Sequence, residues 1–249
     1  MRFSVKTLST RCSLLLGCTW VFAITSHTQT SFAPKTALSE KSSDSKTYFV
    51  SCGQQPPYKA RVEISRTLTS PNGAYATYTR VRVSKHCVNQ SELLVKAISS
   101  KGFRLRWLRA PTEYLRGNGI QAVDWSPDNR YLLFETIDWQ YGSDAGVDRE
   151  IGIYDAHGEY FIYPGQEQFF INEPKECLTY IRGLGFADST HVVVLAHSSP
   201  YFDPAEDKPR DPTCPAYDRL WSLGIGDRPS LERLPETFAL KKYGRSSGH

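Results

Sequence analysis

The chain has 249 residues, with 30 lysines and arginines against 26 aspartates and glutamates. Three of the basic residues and none of the acidic ones fall in the first 33 positions, which leaves 27 against 26 in the remainder. That near-neutral balance excludes the basic footprint of a nucleic-acid binder, and the roughly 200 residues after the N-terminal segments suffice for one domain with a sizeable core.

At the N-terminus, Arg2, Lys6 and Arg11 precede an apolar stretch, Leu14 to Ile24, which is followed by Ser31-Phe32-Ala33. Basic, apolar and small residues in that order read as an export signal over residues 1–33. The apolar stretch is much shorter than the roughly 20 residues of a membrane-spanning helix. A cleaved leader is therefore expected, with no transmembrane span in the mature chain. Leu15-Leu16-Gly17-Cys18 has the form of a lipoprotein signal, but apolar residues continue past the cysteine. Release to the periplasm or the exterior is favoured over anchoring through Cys18. Residues 34–46 are rich in Ser and Lys and read as a flexible linker. The folded domain is expected over residues 47–243, with a disordered tail over 244–249.

Four cysteines follow the leader: Cys52, Cys87, Cys177 and Cys214. An even number in an exported chain reads as two disulfides. Of the three possible pairings, Cys52–Cys87 and Cys177–Cys214 are favoured, because each closes a loop within one repeat. No Cys-x-x-Cys or Cys-His spacing suggests zinc.

The repeat is carried by a turn. Trp125-Ser126-Pro127-Asp128-Asn129-Arg130 opens onto the alternating run Tyr131 to Phe134, and looser copies start at Ser70 and Ala187. Three copies at similar spacing indicate one supersecondary unit used three times. Pro pre-sets φ in such a turn, and Asp, Asn or Gly tolerates the left-handed position that reverses the chain. Period-2 runs rich in aromatic and β-branched residues give four strands per copy. The first copy is read as Arg61 to Leu68, Tyr75 to Val83, Glu92 to Ile98 and Phe103 to Leu108. The second is Ile120 to Trp125, Tyr131 to Ile137, Glu150 to Tyr154 and Glu159 to Tyr163. The third is Tyr180 to Phe186, His191 to His197, Arg219 to Gly224 and Ser230 to Leu234. The best helix candidates are short: Pro111 to Arg116 and Pro235 to Lys242.

The second turn, with Ile151-Gly152-Ile153-Tyr154-Asp155 after it, resembles the TolB-type β-propeller repeat, also found in the propellers of prolyl oligopeptidases. Leu220-Trp221-Ser222-Leu223-Gly224 is similar to the third strand of such a blade. The resemblance implies an all-β, propeller-like array of four-stranded antiparallel meanders with three clear blades. Propellers close with four to eight blades, so the array is either open or completed by strands near Tyr48 to Cys52 and Phe238 to Tyr243. The catalytic domain of the prolyl oligopeptidases, with its Gly-x-Ser-x-Gly elbow, has no counterpart here.

In such an array the connections between second and third strands share one face. They are read as Ser84 to Ser91, Asp138 to Arg149 and Ser198 to Asp218, all longer than a hairpin needs. Long loops on a rigid scaffold commonly carry binding. The expected function is a binding or scaffold protein, with Trp139, Tyr141, Asp144, Tyr201 and Phe202 as contacts for a protein partner in the cell envelope. Catalysis is not expected and no cofactor is called for. Asp144, Asp148 and Glu150 offer only three carboxylates for a hard cation, so no metal is assigned. His191 and His197 stand about 20 Å apart along one strand and cannot share one. The aromatic series Tyr160, Phe161, Tyr163, Phe169 and Phe170 reads as inter-sheet packing more than sugar stacking. Asn89-Gln90-Ser91 has the form of a glycosylation sequon. Two rival readings remain: a small secreted hydrolase or glycan-processing enzyme using loop carboxylates, and a structural subunit that pairs its sheet edges in a homodimer.

Overall fold

A computed structural model describes residues 59–110, 116–140, 147–171, 177–200, 214–226 and 230–247. The leader, the linker, Cys52, Tyr141, Asp144, Tyr201 and Phe202 lie outside these residues. Within them the chain is all-β: fourteen strands, one 3-10 turn at Gln166–Phe169 and no α-helix. No described helix is long and apolar enough to cross a membrane. The helix anticipated at Pro235 to Lys242 is not formed; the segment is a turn followed by irregular chain.

The strands build three antiparallel sheets in chain order. The first contains β1 (Arg61–Ile64), β2 (Thr67–Thr69), β3 (Tyr75–Val83), β4 (Asn89–Ala97) and β5 (Arg104–Arg109). Both β1 and β2 pair with β3, so they form one interrupted inner strand. The second sheet is β6 (Arg116–Trp125), β7 (Tyr131–Gln140), β8 (Val147–Asp155) and β9 (Tyr160–Ile162). The third is β10 (Cys177–Phe186), β11 (His191–Pro200), β12 (Arg219–Gly224) and β13 (Leu231–Arg233). The first sheet has six strands instead of four, because its inner strand is split into β1 and β2 and because β14 (Arg245–Ser247) returns to pair with β2. Residues expected to be a disordered tail thus supply a strand. They do so because β2 offers an edge whose amides and carbonyls need partners.

Packing follows the pleat. Trp125, Leu132, Phe134 and Tyr154 of the second sheet pack with Leu93 and Val95 of the first. Leu133, Ile151 and Ile153, on the other face of that sheet, pack with Ile181, Phe186, Val192 and Val194 of the third. The aromatic residue before the second turn fills the seam between sheets. Trp125 is fully buried, stacks on Tyr75 at 5.7 Å and donates its indole N–H to Leu68 O at 3.2 Å.

The first two turns use one set of hydrogen bonds. The amides of Ser70 and Ser126 donate to Tyr75 O and Tyr131 O at 2.9 and 2.8 Å, and each serine Oγ accepts from that same tyrosine's amide. Gly73 and Asn129 occupy the left-handed position at φ 81° and 69°. Asn72 N–H donates to Asn129 Oδ1 at 2.8 Å, which ties the two turns side by side. The third turn is one residue shorter: Ala187 N–H donates to His191 O at 2.9 Å.

The inner strands β6 and β10 each carry a β-bulge, at Val123 and Leu184. The C-terminal segment crosses both. Lys242 Nζ donates to Val123 O and Leu184 O, and the buried Asp124 accepts the amides of Gly244 at 2.7 Å and Tyr243 at 3.2 Å. Bulges expose a carbonyl that the regular ladder leaves unused, and here the lysine uses both.

Candidate functional site: the loop end of the sheets

The sheets stand with like ends together. At one end the turns of the first two sheets touch, as above, and a Cβ placed on Gly185 would lie 3.0 Å from Asp124 Oδ2. Strands β6 and β10 therefore run the same way, and the second-to-third-strand connections all leave from the opposite end. There, Trp139 packs against Val81 and Val83 beside the β3–β4 hairpin. Arg109 pairs with Asp138 at 2.5 Å, and Asn118 accepts from Ser91 Oγ at 2.7 Å while donating to Ala110 O at 3.1 Å.

The connections are shorter than the sequence suggested, because the ladders outlast the alternating pattern. The first is a five-residue hairpin, residues 84–88, since Val83 pairs with Asn89. Ser84 Oγ accepts the amides of His86 and Val88, and Cys87 takes φ 60°. This is an ordinary hairpin length, which corrects the expectation of an oversized loop. In the second connection the pairing continues through Asp138 with Asp148 and Trp139 with Val147. Only the third stays long, from Pro200 to Arg219. Its base is fastened by the Cys177–Cys214 disulfide and by an aromatic trio in which Phe169 meets Tyr217 at 5.2 Å and Trp221 at 5.8 Å, each edge-on. Cys87 is also disulfide-bonded.

Of the expected contact residues, Trp139 is the one described. It is half-buried and lies over Gly117, where a Cβ would come within 2.1 Å of its Cε2. It serves as a brace between the first two hairpins. Asp148 and Glu150 are exposed on β8, and no cluster of three metal-ligating side chains occurs among the described residues. The like-charged pair Asp138 and Asp148 faces across the ladder. Partial burial, the Asp148 charge adding to it, raises the Asp138 carboxyl above its ordinary value in spite of Arg109. Phe161 and Phe169 are packing residues, in contact with Phe134 and with Tyr217 and Trp221 respectively, whereas Tyr160, Tyr163 and Phe170 are exposed. Asn89 is fully buried in β4, so the sequon is closed to glycosylation in the folded chain. His197 contacts Asp218 at the loop end, and His191 lies at the turn end.

Charges are also buried in the second sheet, one of them against the third. Glu135 on β7 accepts Gly183 N–H at 2.6 Å and faces Arg149 at 3.4 Å. Burial raises its carboxyl above the ordinary value against those partners. Asp155 is fully buried and accepts Arg130 at 2.7 Å and the His157 and Gly158 amides at 2.9 Å. Burial opposes its charge, but the guanidinium and the two amides outweigh burial and hold it below the ordinary value. These groups join strands and turns, so their first role is in the fold.

No family model and no curated protein matches the chain. Function must be read from the geometry.

One constellation at the turn end had only a faint signal in the sequence. His191 Nδ1 lies 3.0 Å from Asp188 Oδ1, and its Nε2 lies 3.3 Å from Ser230 Oγ. Asp188 and His191 are three residues apart, but Ser230 is brought in by the pairing of β11, β12 and β13. No local spacing announces it.

Proposed function

We propose that this is an exported, propeller-like binding or scaffold protein that meets a protein partner in the cell envelope through the loop end of its three sheets. The observation that carries the reading is the shared direction of the sheets, which brings the strand ends that bear the three second-to-third-strand connections to one end, braced by Trp139, the Arg109–Asp138 pair and the Cys177–Cys214 disulfide. A rigid base with the longest connection tethered to it is what loop-borne recognition requires. The disulfide fits a chain that leaves the reducing cytoplasm. The return of β14 to the first sheet is how a circular array of blades would be tied, which supports the propeller-like reading.

The test is affinity capture from envelope extract with the mature chain, comparing wild type with a Tyr141→Ala, Asp144→Ala, Tyr201→Ala, Phe202→Ala quadruple variant. Loss of one specific protein band supports the loop end as the binding surface. Undiminished capture removes it. Trp139→Ala serves as a packing control, because its contacts with Val81 and Val83 tie it to stability.

A further inference from the structure

We propose that Ser230, His191 and Asp188 form a nucleophilic triad that transfers acyl groups from small esters. The site is at the turn end of the third sheet, away from the loop end, so it does not rest on the binding reading.

The geometry has the two side-chain contacts that activate a serine, from nucleophile to base and from base to carboxylate. Ser230 Oγ is within 3.3 Å of His191 Nε2, and His191 Nδ1 is 3.0 and 3.1 Å from the two oxygens of Asp188. The aspartate fixes the tautomer: with the proton on Nδ1 facing the carboxylate, the Nε2 lone pair faces the serine hydroxyl. Asp188 is itself held in place by accepting Thr190 N–H at 2.7 Å and Thr190 Oγ1 at 3.0 Å. These bonds and the histidine overcome the effect of burial and keep its carboxyl below the ordinary value, so it stays ionised.

The backbone holds each member in register. His191 pairs with Gly224 across the ladder, Gly224 N–H donates to Ser230 O at 2.8 Å, and Ile225 N–H donates to Thr190 O at 2.8 Å. Gly224 gives the second, independent indication. A Cβ there would stand 2.9 Å from Ser230 Oγ and 3.7 Å from His191 Cδ2. The absence of a side chain keeps the space in which the serine and histidine meet.

The reaction class follows from exposure. The Asp188 and His191 side chains are 56% and 34% exposed, and Ser230 is exposed. An open site gives little grip on a large substrate and little exclusion of water. It therefore suits short-chain esters with a good leaving group, such as aryl acetates. Ser230 Oγ bonds to the acyl carbon as its proton passes to His191 Nε2. The carbon–oxygen bond to the leaving group breaks, and the phenol departs with that proton. Water then adds to the acyl carbon, gives its proton to Nε2, and releases the acid as Ser230 Oγ recovers its proton. Ser230 and His191 are the catalytic residues, and Asp188 is a positioning residue.

The test uses the full mature chain with a fluorophosphonate probe, whose phosphorus–fluorine bond breaks as the serine bonds to phosphorus. The modified peptide is located by mass spectrometry, and p-nitrophenyl acetate hydrolysis is followed in parallel. Labelling should fall on Ser230 and slow about 100-fold in His191→Gln, the scale of a lost general base. Asp188→Asn, which keeps an acceptor for the Thr190 amide but no longer fixes the tautomer, should slow it by nearly as much, and Asp188→Glu should recover part of the rate. Thermal melts of each variant confirm that it is folded. Labelling no faster than in Ser230→Ala, labelling elsewhere, or labelling of Ser230 that ignores His191 each overturns the proposal.

Discussion

Asp124→Ala offers the sharpest test of how the C-terminal segment is held. The carboxylate accepts Gly244 N–H at 2.7 Å, Trp125 N–H at 2.9 Å and Tyr243 N–H at 3.2 Å, and is fully buried. Hydrogen bonds to a charged acceptor contribute about 1.5–3 kcal/mol each, and an amide left unpaired in a buried place costs about 1–3 kcal/mol. Against this stands the cost of burying the charge, which is the largest influence on the group and raises its carboxyl above the ordinary value in spite of the three amides and Lys242. The two effects largely offset each other, so the net loss should be about 2–3 kcal/mol. In a domain of this size that lowers Tm by about 4–12 °C. Because the folded pKa is the higher one, this group's contribution is complete below the unfolded value and declines as pH rises through the folded value. Asp124→Asn keeps an acceptor oxygen and cannot ionise. The wild type should therefore lose stability relative to Asp124→Asn as pH is raised from about 4, while Glu135, shifted the same way, cancels in the difference. Urea unfolding across pH measures both effects, and amide exchange at Tyr243 and Gly244 reports the tether directly. An Asp124→Ala protein within about 0.5 kcal/mol of wild type, with those two amides still protected, would refute the reasoning.

Two further stability outcomes follow from the loop end. Replacing Cys177 and Cys214 together by Ala should cost about 4 kcal/mol, because the bridge spans 37 residues and the loss grows with the closed loop; an unchanged urea midpoint would count against it. Gly117→Ala should cost about 1–3 kcal/mol by overpacking, since its Cβ would lie 2.1 Å from Trp139 Cε2. A displaced Trp139 should show as a shift in tryptophan emission, and a native-like spectrum at full stability would contradict the close contact.

The strands were legible because their alternation is strong where one face is buried. Tyr75 to Val83 and Arg219 to Gly224 were read with the bounds the structure has. The pattern failed at the loop end, where Asp138, Trp139 and Asp148 continue the β7–β8 ladder without a clean apolar face. Backbone pairing needs no side-chain alternation, so hydrophobic periodicity ends before the strand does. The same reasoning explains the missed β14. Arg245, Ser246 and Ser247 are exposed and polar, and they become a strand only because β2 presents an edge to them. The Cys177–Cys214 bridge was readable from the logic of loop closure within one repeat. The candidate site was legible only in outline. By sequence Trp139 reads as an aromatic in a loop, yet it lies on an extended strand with Gly117 opposite it. Ser230 joins His191 only through three paired strands.

The third turn shows that the weakest copy of the repeat is also the most distinct chemically. In the first two turns a serine hydroxyl accepts the next strand's amide and bonds to the side chain of Asn72 or Asp128, a closed and mostly self-sufficient set. Ala187 in the third copy has no hydroxyl, and neither proline nor glycine follows to set the backbone. The turn shortens by a residue, and the Asp188 carboxylate takes over by accepting the Thr190 amide and hydroxyl. A carboxylate has more acceptor positions than those two donors fill, and its second oxygen is left within reach of His191 Nδ1 at 3.1 Å. Losing the serine-proline pattern and gaining an oriented histidine are therefore one structural event. In a sequence of repeats, the copy that departs from the pattern while keeping its strands is where a new chemistry can be placed without disturbing the sheet.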